Sequence, residues 1–119
     1  MMTAAGLEVA TGLVLVSAPA LFAALVLGGG LDGIGRTLGR LGGMTLLTLA
    51  WVCWPRPGQP TQPALDALLL FSAATVLILL LHAFGEELAG PVLWPAILIH
   101  SAMTIMLAQA RRSGRGPLD

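Results

Sequence analysis

Three ionisable side chains stand inside long apolar stretches, and they are the residues of this chain best suited to chemistry. Glu8 lies near the start of the first stretch, His82 near the end of the third, and His100 in the middle of the fourth. An acid inside a membrane segment is costly unless it is paired or protonated, so it is a functional candidate by default. Imidazole is a common ligand of haem, pigments and metal ions. Glu8 is therefore a candidate functional acid, and the two histidines are candidate ligands of haem, chlorophyll-type pigment or metal.

Each candidate also has a plain structural interpretation. Glu8 is close to the helix end, so it can lie at head-group level and pair with Arg56 or with an arginine of the tail. His100 can donate a hydrogen bond to a neighbouring helix. The side chains within its reach are those of Thr75, Ser101 and Thr104.

The two histidines are not expected to share one haem. Counted from their helix ends at about 1.5 Å per residue, His82 and His100 differ in height by roughly 10 Å. Two ligands of one metal at about 2 Å each lie within roughly 4 Å of one another. We therefore predict no metal site and no cofactor, with a haem or chlorophyll-type pigment on His100 alone as the alternative.

Four apolar stretches set the expected architecture. Crossing a hydrocarbon core of roughly 30 Å takes about 20 mostly apolar helical residues. The stretches predict helices over about residues 3–27, 37–54, 64–84 and 91–110, followed by a polar tail over 111–119. The connections are too short for a soluble domain. We predict a single-domain, all-α membrane protein with four transmembrane helices in an up-down bundle.

Composition agrees with a membrane protein. Apolar residues make up 56% of the chain and charged residues 10%, against about one quarter charged residues in soluble domains. The net charge is zero, so nothing favours nucleic acid, which requires clustered cationic side chains. The expected partner is the lipid bilayer, together with other membrane-protein subunits.

The arginines predict an orientation. Four spans place both termini on one side, together with Arg56 and the arginines of the tail, whereas Arg36 and Arg40 lie on the other side. Cytoplasmic loops are rich in Lys and Arg. We predict that both termini are cytoplasmic, and the absence of lysine is typical of a GC-rich bacterial genome. The expected location is the bacterial inner membrane.

Proline and glycine predict two local features. Pro19 lies inside the first helix and removes a backbone hydrogen bond, so we expect a kink there that faces protein. Gly35, Gly39 and Gly43 are spaced four apart at the start of the second helix. This G-x-x-x-G spacing lets another helix approach closely, and the partner can be internal or another protein.

An ion pair is expected on the side opposite the termini. The second helix begins where the third one ends, so Arg40 should lie within reach of Glu86 or Glu87. Exposed pairs of this kind contribute about 0–1 kcal/mol. The prediction therefore concerns proximity more than stability.

Two family resemblances bear on these features. The stretch Leu7, Glu8, Val9, Ala10, Thr11, Gly12 resembles the first helix of small multidrug resistance transporters, which have four helices and one essential glutamate in that helix. The resemblance implies a small proton-coupled transporter that works through Glu8. This chain departs from that family because it contains no tyrosine, and tyrosines line the family's binding chamber.

The chain as a whole is similar to small four-helix bacterial membrane proteins of the DoxX-like type. The residues that carry this similarity are Gly35, Arg36, Gly39, Arg40, Leu41 and Gly42, together with Leu93, Trp94, Pro95 and Ala96 before His100. The resemblance implies a fold and a location and carries no activity.

No nucleophile elbow, phosphate loop, dinucleotide fingerprint or catalytic carboxylate pair is present in the sequence. We therefore predict that the chain is not an enzyme but an accessory or structural subunit that packs against a larger membrane complex. Two alternatives stay open: a small proton-coupled transporter that uses Glu8, and a haem- or pigment-binding membrane protein that uses His100.

Overall fold

Helices make up most of the chain in the computed structural model, which describes residues 2–58, 61–85 and 89–114. In chain order they are α1 (Met2–Ser17), α2 (Pro19–Phe22), a π-helix (Ala23–Leu27), α3 (Gly33–Cys53), α4 (Gln62–Gly85) and α5 (Leu93–Arg112). No strand occurs among the described residues. The predicted all-α class is confirmed.

Two helices, α4 and α5, are long and apolar enough to cross a membrane. A third span results if α1 and the residues Pro19–Leu27 count as one broken crossing. α3 does not belong to this set, because its glycines and threonines and the charges of Arg36 and Arg40 lower its mean hydropathy. The chain thus has two or three candidate spans, and the four predicted spans are not confirmed.

The first predicted helix is broken, which corrects the expectation of a single kinked helix. α1 meets the segment Pro19–Leu27, hereafter the bent segment, at 115°. The break lies at Ala18, whose φ of −142° and ψ of 66° are not helical. A residue before proline is pushed out of the α region, and Pro19 itself has no N–H to donate. Pro19 is buried, in keeping with a bend that faces protein.

The four long helices alternate in direction and form two tightly packed pairs, α1 with α3 and α4 with α5. At one end of the second pair, Arg111 Nε lies 2.8 Å from Asp66 Oδ1. At the other end, the rings of Phe84 and Trp94 pack edge to face at 6.0 Å. The longest dimension of the molecule is 43 Å, close to the roughly 40–45 Å of a bilayer with its head groups.

Candidate functional site

A cavity of about 430 Å³ lies between the two helix pairs. α1 contributes one wall, α4 and α5 contribute the opposite wall, and the bent segment contributes Phe22, Leu25 and Val26. The side chains around it are mainly apolar, and the polar ones are those of Glu8, Thr11, Thr75 and His100. Volumes of about 300–1,000 Å³ with few polar groups are typical of ligand sites. We call this space the Glu8 cavity.

Two apolar clusters close the bundle on either side of the Glu8 cavity. The first cluster packs around Leu65, Leu68 and Leu107, next to the chain end that carries Met2. The second packs around Val26, Leu79, Leu93 and Ile97, next to the bent segment. The cavity therefore lies within the length of the bundle rather than at either tip.

Glu8 is the most unusual side chain of the site. It is 1% exposed, and neither Oε1 nor Oε2 has a hydrogen-bond partner among the described residues. Burying a carboxylate without a partner costs several kcal/mol, so such groups are neutralised by a proton or meet a cation. The carboxyl group of Glu8 therefore requires a proton or a cation where it lies.

The simpler interpretation of Glu8, pairing with an arginine at head-group level, is wrong for the described residues. Arg56 donates to the carbonyl oxygen of Trp51 at 3.1 Å and lies over the Trp51 ring. Arg111 is paired with Asp66. Glu8 is instead directed inward, because its position on α1 falls on the buried face that also holds Ala4, Ala5 and Gly12.

His100 lies in the same cavity and is 8% exposed. Its Nδ1 lies 3.0 Å from the carbonyl oxygen of Ala96 in its own helix, so Nδ1 donates that hydrogen bond. Thr104 donates to the carbonyl oxygen of His100 at 2.8 Å. The expected hydrogen bond from His100 to a neighbouring helix is therefore not formed at Nδ1, because the turn before it already offers an acceptor.

His82 has a structural role at the end of the bent segment. Its Nε2 donates to the carbonyl oxygen of Leu27 at 2.9 Å. Gly90 N–H donates to Val26 at 3.2 Å and Val92 N–H donates to Leu25 at 2.8 Å. The last carbonyls of a helix have no partner within it, and here three donors from the α4–α5 hairpin supply them. His82 and His100 are thus not brought together at one centre.

The close helix contact predicted at Gly35, Gly39 and Gly43, hereafter the glycine seam, forms between two helices of this chain. One of its three glycines differs from the prediction. A Cβ on Gly43 would lie 2.7 Å from the carbonyl oxygen of Gly12, and one on Gly39 would lie 2.9 Å from Pro19 Cβ. The atoms nearest to a Cβ on Gly35 belong to Leu31 and Asp32, and the Gly35 N–H donates to the Asp32 side chain at 2.6 Å as part of the helix start. Gly12 replaces Gly35 in the seam, which packs α3 against α1.

The ion pair predicted for Arg40, the single cysteine and the possibility of a metal site remain to be described. Glu86 and Glu87 lie outside the described residues, so their pairing with Arg40 stays a prediction. Cys53 is buried and free, and its thiol lies 3.6 Å from the carbonyl oxygen of Ala64. Within residues 2–58, 61–85 and 89–114, no three His, Cys, Asp or Glu side chains are grouped as a metal site would require.

Ser72 is a polar residue that the sequence did not single out. It is fully buried on α4, and its Oγ has no hydrogen-bond partner in the described part of the chain. The signal available from the sequence was its place on the apolar stripe of α4, which runs through Leu65, Leu68 and Leu79.

No family model, no curated protein and no solved structure matches this chain. The resemblances to small multidrug resistance transporters and to DoxX-like proteins therefore stay predictions from the sequence. Function has to be argued from the Glu8 cavity itself.

Proposed function

We propose that this chain is an integral membrane protein that exchanges a membrane-dissolved cation for a proton, with the Glu8 carboxyl group as their shared binding site. The observation that supports this most is the burial of Glu8 beside a cavity of about 430 Å³, with no hydrogen-bond partner in the part of the chain that the structure describes. A group that can hold either a proton or a cation, but not both, couples the movement of one to the other.

The proposal places four segments across the bilayer. α4 and α5 contribute two of them, and the broken first helix contributes the third. α3 contributes the fourth, since its 21 residues extend about 32 Å and Arg36 and Arg40 lie in its first turns, from which long side chains reach the head groups. The arginine distribution favours cytoplasmic termini in a bacterial inner membrane.

Reporter fusions test that topology. A fusion after Asp119 and one inserted within residues 57–60 should both report the cytoplasm. A periplasmic signal at either position contradicts the proposed orientation.

The accessory-subunit prediction remains the second candidate. One observation favours it: the outer face of α3 leaves Ile34, Leu38, Leu41 and Val52 more than half exposed, although this helix is the least suited to face lipid. A neighbouring protein would cover that face. Purification from the native membrane separates the candidates, because a co-migrating subunit favours the accessory role and visible absorbance favours a pigment on His100.

Liposomes test the exchange directly. The purified protein is reconstituted with a pH-sensitive dye inside the vesicles, and octyltrimethylammonium or octylguanidinium, two permanently charged cations, is added outside. Entry of either cation should be coupled to proton exit and a rise in internal pH. Glu8→Gln should abolish the signal, and Leu98→Ala, which alters an exposed residue away from the cavity, should retain it. Wild-type vesicles that behave like empty ones contradict the proposal.

A further inference from the structure

A second cavity lies between α1 and the end of α3, at the end of the bundle that carries Met2. Its volume is about 490 Å³, and it shares no lining residue with the Glu8 cavity. The residues that line it are Val9, Leu47, Ala50, Trp51, Trp54 and Arg56. We call this space the Arg56 groove.

The Arg56 groove is apolar along its length and cationic at one end. Ala50 is fully buried and Leu47 is half-buried, so they form its floor. From Leu47 to the end of α3 at Cys53 the helix rises about 9 Å. Arg56 follows beyond that helix end. A matching occupant therefore has an apolar part of about this length and a polar group next to Arg56.

Two contacts hold the guanidinium group of Arg56 at the end of the groove. Its Nη2 donates to the carbonyl oxygen of Trp51 at 3.1 Å, which is one of the last carbonyls of α3 and has no partner within the helix. Its Cζ lies 4.7 Å from the centre of the Trp51 ring, a favourable position for a cation over an indole. A guanidinium group carries five N–H donors, and the hydrogen bond to Trp51 uses only one of them.

The charge of Arg56 has no carboxylate partner in the described part of the chain. Arg111, at the same end of the bundle, differs in this respect because it is paired with Asp66 at 2.8 Å. The lining of the groove also includes no acidic side chain. Since guanidinium groups pair with phosphate through parallel hydrogen bonds, a phosphate group complements this end. A cationic head group finds no anion among the lining residues.

We propose that the Arg56 groove binds one anionic phospholipid, whose phosphate pairs with the Arg56 guanidinium group while the first part of an acyl chain lies over Ala50 and Leu47. The inference rests on the bilayer placement in the proposed function and not on the exchange at Glu8. In that placement Trp51 and Trp54 lie at the head-group level, where indole rings prefer to lie. The cytoplasmic leaflet then supplies the lipid directly beside the groove.

Tryptophan fluorescence in liposomes tests this, because two of the three tryptophans of the chain border the groove. Trp94→Phe removes the third and keeps an aromatic ring against Phe84. This protein is reconstituted in phosphatidylcholine that contains a small fraction of brominated phosphatidylglycerol or brominated phosphatidylcholine, with the bromine near the head-group end of the acyl chains. Each brominated lipid is compared with its unbrominated counterpart.

Brominated phosphatidylglycerol should quench at a lower lipid fraction than brominated phosphatidylcholine. The attraction of one arginine for an anionic lipid corresponds to about fivefold in binding, so about fivefold less phosphatidylglycerol should give the same quenching. Equal quenching by both lipids keeps the chain in the bilayer and overturns this inference alone. Quenching by neither lipid overturns the bilayer placement and the proposed function with it.

Two further results separate this inference from its alternatives. A preference for phosphatidylglycerol in a protein that moves no protons supports the lipid site and contradicts the exchange at Glu8. Loss of the preference when inorganic phosphate is added to the buffer would show that the groove holds a soluble anion, and that result overturns the lipid site.

Arginine variants assign the preference to Arg56. Arg56→Gln should remove it, and Arg56→Lys should retain only part of it, because an ammonium group keeps the charge and loses the planar fork. Arg112→Gln is the matched control, since it removes the same charge from an exposed position at the end of α5. Equal losses in Arg56→Gln and Arg112→Gln would mean that the general surface charge attracts the lipid, which overturns a site at Arg56.

The place of the acyl chain is tested by filling the groove. Val9→Phe enlarges a lining residue on α1 and should weaken the preference several-fold. Val52→Phe is the matched control, because Val52 is 61% exposed and does not line the groove. An unchanged preference in a folded Val9→Phe protein, or equal weakening in both variants, overturns the placement of the chain along α3.

Discussion

The backbones of Gly12 and Gly43 are in direct contact: a Cβ on Gly43 would lie 2.7 Å from the Gly12 carbonyl oxygen, and one on Gly12 would lie 2.9 Å from that of Gly43. This contact draws α1 against α3, and it orients the buried face of α1, on which Glu8 also lies. The glycines therefore help to set the position of the carboxyl group.

Adding a side chain at the contact between Gly12 and Gly43 should destabilise the fold. Gly43→Ala places a methyl group against backbone atoms of α1, and overpacking of this kind costs about 1–3 kcal/mol. Gly42→Ala is the control, because no described atom beyond its own stretch of helix lies within 4 Å of a Cβ there, and alanine is the better helix former by about 0.5–1 kcal/mol. Unfolding in mild detergent should show a loss for Gly43→Ala only. Equal stabilities of the two variants would count against the seam.

The last carbonyl oxygens of the bent segment accept hydrogen bonds from the α4–α5 hairpin, hereafter the cap. We expect this cap to depend on His82. His82→Leu leaves the carbonyl oxygen of Leu27 without its side-chain donor. Because this hydrogen bond is part-buried, the loss should lie near the lower end of the about 1–3 kcal/mol that an unsatisfied buried acceptor costs. Hydrogen exchange should rise at Gly28 and Gly90, which adjoin this end. The neighbouring substitution Leu81→Ala, at an exposed position, should leave exchange there unchanged. Similar exchange in His82→Leu and wild type would mean that the cap contributes little.

Ser72→Ala should be neutral or slightly stabilising. The buried hydroxyl has no partner among the described residues, so its removal loses no hydrogen bond and relieves the cost of desolvating a polar group. Chemical unfolding checks this. A loss of more than about 1 kcal/mol would show that the hydroxyl is bonded in the protein.

The predicted pair between Arg40 and Glu86 or Glu87 can be checked by crosslinking. In a Cys53→Ala background, Arg40→Cys combined with Glu86→Cys or Glu87→Cys should form a disulfide on mild oxidation, because the start of α3 and the end of α4 lie at the same end of the bundle. Arg40→Cys with Asp66→Cys, at the opposite end of α4, should not. Failure of both expected pairs contradicts the predicted proximity.

Apolar periodicity and the prolines were enough to predict an all-helical chain and a disturbance at Pro19. The angle of the break was not predictable, since it depends on donors from Gly90, Val92 and His82 that are distant in sequence. Glu8 and His100 were recognisable as ionisable residues in apolar stretches. Their placement in one cavity was not, because it follows from how α1 packs on α3 and how α5 packs on α4.

The glycine seam shows the same limit of prediction from sequence, because Gly12 was not recognised as part of it. G-x-x-x-G spacing identified Gly39 and Gly43 within one helix, but the residues that face them, Pro19 and Gly12, lie outside that pattern. Gly35 fits the spacing and serves the start of α3 instead. Local spacing thus predicted a close helix contact without predicting its partner.

The central claim, that Glu8 holds either a proton or a cation, is tested most directly by counting protons released when octylguanidinium binds. The protein in nanodiscs is titrated in weakly buffered solution from acidic to neutral pH, with a pH indicator and with empty nanodiscs as the blank. In the pH range where the free carboxyl group is protonated, wild type should release about one proton per bound cation, and Glu8→Gln should release none. Binding of octylguanidinium to wild type without proton release at any pH, or equal release by Glu8→Gln, would contradict the account.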